Sequence, residues 1–320
     1  MDKRRILSID GGGIKGVFPA SFLAHLEDNI DGHAGEYFDL IAGTSTGGII
    51  ALGLGMGLSA RDLLQFYEAN GPILFTQNRV KRLFLAFKHW AWSKYDNKTL
   101  RAALEAVFDD KRIADSQTRL MIPSLNLETG EVHVYKTRHA GRFGMDYKER
   151  VVDVALATSA APTYFPTHHS AQGLPLVDGG MWANNPTGFA VVEGISVLGW
   201  PAESLHILSI GCTESPVSTG LLQRLPLGNG FWAKKIVDIF MAGQSSSSMG
   251  TAILLSGRDQ NRLVRVSPCV QTGRFSLDGS RDIQTLKGLG HSEARKAWPK
   301  VREMFFREKA EPFEPIPLDE

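Results

Sequence analysis

The sequence predicts an α/β protein whose sheet is mainly parallel and covered by helices, and three observations carry that prediction. A β-prone run, a glycine turn and a helical pattern follow one another at the N-terminus. A second strand and a second glycine-bearing turn come next, and short apolar runs then alternate with helical patterns through much of the 320-residue chain. Consecutive β-α-β units pack as a parallel sheet with helices on its faces.

Residues 4–9 form the first strand, stopped by Asp10-Gly11-Gly12-Gly13, and residues 17–30 carry apolar side chains at helical spacing. Residues 37–42 are a buried-strand candidate, and 48–56 continue as a helix holding more glycine than a solvent-exposed helix tolerates. Ser59 and Ala60 cap the next helix, and 98–108 is amphipathic. Residues 120–127 and 132–136 make a hairpin, 151–158 a helix and 175–177 a short strand ending in Asp178-Gly179-Gly180. Asn185-Pro186 opens a helix to 198, and 205–210 is a strand. A helix around 233–241 ends at a polar break, Gln244 to Ser248; a strand at 263–266 and a helix over 294–306 complete the pattern. No linker divides the chain, which gives one domain over 1–307. The tail 308–320, with three prolines and no periodicity, reads as a loose end.

Thirty-five basic against 34 acidic residues leave no basic excess, which argues against a nucleic-acid polymer as partner. The start MDKRRILSID lacks the apolar core of a secretory signal, so a cytoplasmic location is expected. Cys212 and Cys269 stand at no metal-ligand spacing and are expected to be buried thiols.

Residues 40–60 contain no charged side chain over a length that would cross a bilayer. Six of these residues are glycine and four are Ser or Thr, so the segment is weakly apolar and fits a buried strand and helix better. Within it Gly43-Thr44-Ser45-Thr46-Gly47 matches the G-x-S-x-G nucleophile elbow. There, small neighbours let the chain turn sharply between strand and helix while a serine hydroxyl is pushed outward.

A serine nucleophile needs an oxyanion hole and a base. Gly11, Gly12 and Gly13 let backbone N–H groups approach an anionic oxygen, and Lys15 adds a positive charge. The same letters match G-x-G-x-x-G, a dinucleotide loop, which also needs an acid ending a second strand. Asp31 and Asp39 are its candidates, one following helical residues and the other inside the strand. As base, His168-His169 reads as a solvated pair and His206 as a core group. Asp178 ends a strand before two glycines and becomes a usable proton acceptor if burial raises its pKa.

DGGGIKG at 10–16, GTSTG at 43–47, ATSAAPTYFP at 157–166 and DGG at 178–180 together resemble the patatin-like phospholipase family over about two-thirds of the chain. That resemblance implies a three-layer α/β/α fold and lipid acyl hydrolysis through an acyl-enzyme, with neither cofactor nor metal. Ser45 would be the nucleophile, Asp178 the proton acceptor, and Gly11, Gly12, Gly13 and Lys15 the oxyanion region. Lys15 stands where the family often has Arg.

The layout is also similar to bacterial anti-phage effectors of the family that are activated by a cyclic di- or trinucleotide. This implies a cyclic nucleotide as activator and membrane phospholipid at the inner membrane face as substrate, and it admits an oligomer. The basic and aromatic run 79–94 suits peripheral membrane contact, and equally a helix packed into the core. Two other readings stand beside this one: a lipid esterase without nucleotide control, and a nucleotide-binding protein using the GGGIKG loop.

Overall fold

A computed structural model describes residues 3–74, 93–216, 229–257 and 260–317. In chain order its strands are β1 (Arg4–Ile9), β2 (Leu40–Gly43), β3 (Arg119–Asn126), β4 (Val132–Lys136), β5 (His168–His169), β6 (Pro175–Asp178), β7 (Leu205–Ile210) and β8 (Leu263–Val266). The α-helices are α1 (Val17–Glu27), α2 (Thr46–Gly55), α3 (Ala60–Leu74), α4 (Asn97–Phe108), α5 (Val151–Thr158), α6 (Gly180–Ala183), α7 (Thr187–Ser196), α8 (Asn229–Leu255) and α9 (Ile283–Phe305).

Among the described residues the strands form one sheet in the order β5-β6-β3-β2-β1-β7-β8, with β4 also paired to β3. The pairs β3-β2, β2-β1, β1-β7 and β7-β8 are parallel, whereas β4 and β6 run antiparallel to β3. Side chains alternate between two apolar layers. Ile6, Leu40, Ala42 and Ile207 pack with Ala190 and Val191 of α7 and Ala252 of α8. Leu7, Ile9, Ile41 and Leu208 face α1, α2, α3 and α9. Both faces are covered, which is why β1 and β2 read as continuous apolar runs.

The pairing of β3 sets where two strand ends meet. β4 occupies one edge of β3 from Met121 to Leu125. On the other edge β2 pairs with Arg119 to Met121 and β6 with Ser124 to Asn126. Running in opposite directions along that shared edge, β2 and β6 approach each other end to end. Residues just past Gly43 are thereby brought towards Asp178, which stands opposite Ser124.

Several elements differ from the sequence reading. The polar run Gln244 to Ser248 does not break α8, because its side chains bond the segment after Asp178 rather than their own backbone. Gln244 Nε2 donates to Met181 O at 2.9 Å, Asn185 Nδ2 to Ser245 Oγ at 3.1 Å, and Gly188 N to Ser248 Oγ at 2.8 Å. α9 begins at Ile283, well before the expected start, with Ile283, Leu286, Gly290 and Ala294 buried on one side.

Cys212 is buried but Cys269 is exposed, since Cys269 lies beyond the end of β8, where a single parallel bridge to Glu214 holds it. His168 is also buried, because in β5 it pairs with Leu176 of β6, and of the two only His169 is exposed. The tail expected to be loose is tied down over its described part. Arg5 Nη2 donates to Lys309 O at 3.2 Å, Ala310 N to Glu36 O at 2.8 Å, and Ile316 N to Arg138 O at 2.9 Å.

Residues 40–60 comprise β2, the turn, α2 and the entry to α3, and every residue of β2 and α2 is buried. Among the described residues no helix is long and apolar enough to cross a membrane. Nearly all of the 79–94 run lies outside the described residues.

Candidate active site

The turn between β2 and α2 has the strain a nucleophile elbow requires. Ser45 sits at φ 55° and ψ −120°, a region that non-glycine residues rarely occupy. Close packing explains the flanking glycines. A Cβ on Gly47 would lie 2.3 Å from Ile9 O, and one on Gly43 would lie 2.1 Å from Gly47 O. The Ser45 N–H donates to Thr158 Oγ1 at 3.1 Å, and that hydroxyl donates to Pro123 O at 2.6 Å. Thr46 is fixed in turn, its Oγ1 donating to the Tyr67 hydroxyl at 2.6 Å. Ser45 stands at the N-terminus of α2, where unpaired N–H groups and the helix dipole favour negative charge.

Asp178 lies at the end of β6, and its Oδ2 accepts a hydrogen bond from Ser45 Oγ at 2.6 Å. Oδ1 accepts from Gly180 N at 2.7 Å, while the Asp178 N–H donates to Ala160 O at 3.0 Å. Both side chains are nearly enclosed, Ser45 at 8% and Asp178 at 6% exposure. Burial pushes the Asp178 carboxyl up to about 6 from its ordinary 3.8, against the opposing hydrogen bonds from Ser45 and Gly180. A carboxylate so placed is ionised at neutral pH and a stronger base than a solvated aspartate.

The glycine loop caps the C-terminal end of β1 beside the elbow. Gly13 has φ +59°, and a Cβ there would lie 2.2 Å from Leu277 O, which also accepts the Ile14 N–H at 2.9 Å. Of the glycines expected to bind an oxyanion, Gly11 has its N–H engaged by Asn184 O at 2.9 Å. The Gly12 and Gly13 N–H groups have no hydrogen-bond acceptor among the described residues. The Lys15 N–H donates to Gly12 O at 3.2 Å, and the Lys15 charge favours the ionised form of Asp10.

Beneath the loop, Arg265 of β8 reaches across Ser209 to grip Asp10 with two hydrogen bonds, at 2.9 and 2.6 Å. Burial raises the Asp10 pKa, and this bidentate contact opposes the rise.

The dinucleotide reading lacks its acid. Asp39 is buried at the opposite end of β1, accepting from the Arg5 N–H at 2.7 Å and from Arg4 Nη1 at 3.1 Å. Asp31 is exposed, with Lys309 Nζ at 3.5 Å. The structure also shows three site residues to which sequence reasoning gave no role: Thr158, Asn184 and Arg265. Thr158 lies inside the quoted ATSAAPTYFP motif. Nothing local in sequence marks the other two.

A family model described as patatin-like phospholipase matches residues 7–191. A cGAMP-activated phospholipase of Pseudomonas aeruginosa is 35% identical over 243 residues, covering 76% of this chain and 72% of that protein. One from Vibrio cholerae is 40% identical over 196 residues, covering 57% of this chain and 55% of its own length, so the match spans about half of that relative. Among solved structures, VipD from Legionella pneumophila aligns with a TM-score of 0.47 at 10% identity, covering 92% of this chain and 66% of that one.

Proposed function

The chain belongs to the patatin-like phospholipase family, a family of lipid acyl hydrolases, and from that premise we propose that it hydrolyses phospholipid esters with Ser45 and Asp178 under the control of a cyclic dinucleotide. The observation that carries the catalytic part is the 2.6 Å hydrogen bond from Ser45 Oγ to Asp178 Oδ2 at a strained elbow. Asp178 takes the hydroxyl proton as Ser45 Oγ bonds to the ester carbonyl carbon. The carbonyl oxygen becomes an oxyanion held by the Gly12 and Gly13 N–H groups and the α2 N-terminus.

Asp178 then returns the proton to the departing alcohol, leaving an acyl-Ser45. Water, deprotonated by the same carboxylate, attacks that ester; the Ser45 Oγ–acyl bond breaks, Asp178 returns the proton to Ser45 Oγ, and a fatty acid is released. Thr158 and Arg265 act through other groups, the first by holding the Ser45 backbone and the second by holding Asp10 under the glycine loop.

Control by a nucleotide is supported by the bacterial relatives, which are cGAMP-activated phospholipases. The test is release of fatty acid from phospholipid vesicles with and without cGAMP. Wild-type protein is expected to hydrolyse lipid when cGAMP is present, and Ser45→Ala and Asp178→Ala are expected to abolish this while remaining folded. Full activity in either variant sinks the dyad, and hydrolysis indifferent to cGAMP sinks the control.

A further inference from the structure

At the far end of the sheet from Ser45, a buried arginine lacks an anion. Arg138 follows β4 and is 7% exposed. Its Nε is buried without a hydrogen-bond partner, and its guanidinium makes no ion pair among the described residues. Its guanidinium carbon lies 5.6 Å from the centre of the Tyr147 ring. Burying an N–H donor without an acceptor is costly, and proteins rarely do so without a reason.

Arg138 lines a cavity of about 290 Å³ together with Thr137, Tyr147, Phe313, Pro315 and Pro317. Arg119, at the start of β3, stands behind Phe313 with its guanidinium 5.0 Å from that ring and 5.8 Å from Trp200. Its Nε is likewise buried and unpartnered, although Nη1 donates to Asp39 O at 3.3 Å.

The chemistry is therefore a forked cation beside aromatic, proline and aliphatic faces, the last from Ile113 and Ile316. A planar guanidinium matches phosphate oxygens two at a time, and aromatic rings stack on a base. We propose that this cavity is a second ligand site, in which Arg138 binds the phosphate of a cyclic dinucleotide and Tyr147 and Phe313 flank one of its bases. The choice of ligand rests on the nucleotide-controlled reading given above. The cavity lies near the low end of ligand-pocket sizes, so it holds one nucleotide half with the other extending past the tail. β3 links it to catalysis, because Arg119 begins the strand and Ser124 further along it stands opposite Asp178.

The test compares full-length wild type with Arg138→Met, Arg138→Lys and Tyr147→Leu by calorimetric titration, with cGAMP and inorganic phosphate as separate probes. Thermal unfolding and unstimulated hydrolysis of a monomeric ester are measured alongside. The expected result is that wild type binds cGAMP and Arg138→Met weakens it at least about tenfold, the loss of one charge-assisted contact. Arg138→Lys should recover part of the affinity, Tyr147→Leu should weaken it, and ester hydrolysis should be unchanged.

Equal binding by wild type, Arg138→Met and Tyr147→Leu overturns the site. Binding of phosphate but not cGAMP overturns the nucleotide assignment. Failure of wild type to bind cGAMP overturns both this inference and nucleotide control, while Ser45-dependent ester hydrolysis would still stand. Should Arg138→Met not fold, Arg138→Lys and Tyr147→Leu decide by the same criteria.

Discussion

Replacing Asp178 with asparagine separates catalysis from stability in opposite directions. Asparagine keeps the shape and hydrogen-bonding capacity of the side chain but carries no charge. In the unfolded chain the Asp178 carboxyl titrates near its ordinary 3.8, and in the folded protein burial raises it to about 6. Between those values the folded protein binds the extra proton, so stability falls as pH rises through this window. Above about 6 the full cost of an ionised, desolvated carboxylate is present.

Roughly two pKa units at 1.36 kcal/mol each set an upper limit of about 3 kcal/mol, which relaxation and solvent reduce. Asp178→Asn is therefore expected to be inactive and about 1–3 kcal/mol more stable than wild type at pH 8, with most of the gain gone by pH 4 and the rest lost below the unfolded value of 3.8. Urea unfolding followed by tryptophan fluorescence at pH 8, 6 and 4 measures this, with ester hydrolysis as the activity assay. A variant that is less stable at pH 8, or shifted equally at all three values, refutes the claim that Asp178 is held as a desolvated base.

Other consequences follow from the same geometry. The kcat/KM of wild type on a monomeric ester should fall about tenfold per pH unit below about 6, as Asp178 is protonated; a flat profile down to pH 5 would contradict this. Gly13→Ala should lower kcat and cost about 1–3 kcal/mol in unfolding free energy, since its φ is +59° and its Cβ would meet Leu277 O. Arg265→Met leaves a buried Asp10 unpaired and should cost about 3–5 kcal/mol in a denaturation experiment, with Arg265→Lys intermediate. Ser45→Gly relieves a positive φ, so it should remove all activity while raising the urea midpoint slightly.

Local features of the site were legible in the sequence and distant ones were not. GTSTG shows small residues at a sharp bend because the collision they avoid is with neighbouring backbone, and DGG at 178–180 marks a strand end in the same way. The meeting of Ser45 with Asp178 depends on two strands sharing one edge of β3, 133 positions apart in sequence, and no periodicity reports that. Arg265 reaches Asp10 from 255 positions away, and an isolated arginine in a short strand looks like any edge cation.

By propensity Gln244 to Ser248 reads as a helix break, yet the helix continues because those polar groups find partners on the segment after Asp178. The start of α9 was hidden by Gly288 and Gly290, the latter packed where a Cβ would lie 2.6 Å from Phe18 O. The tail looked loose because its anchors are backbone groups and arginines elsewhere in the fold.

If Ser45 is a nucleophile activated by Asp178, a serine-directed reagent must find it. A fluorophosphonate that modifies only activated serines, followed by peptide mass spectrometry, tests this most directly, with wild type, Asp178→Asn and Ser45→Ala labelled in parallel with and without cGAMP. One adduct is expected, on the peptide carrying Ser45, strongly reduced in Asp178→Asn and absent in Ser45→Ala. Labelling at another serine, or unchanged labelling of Ser45 in Asp178→Asn, would contradict that activation.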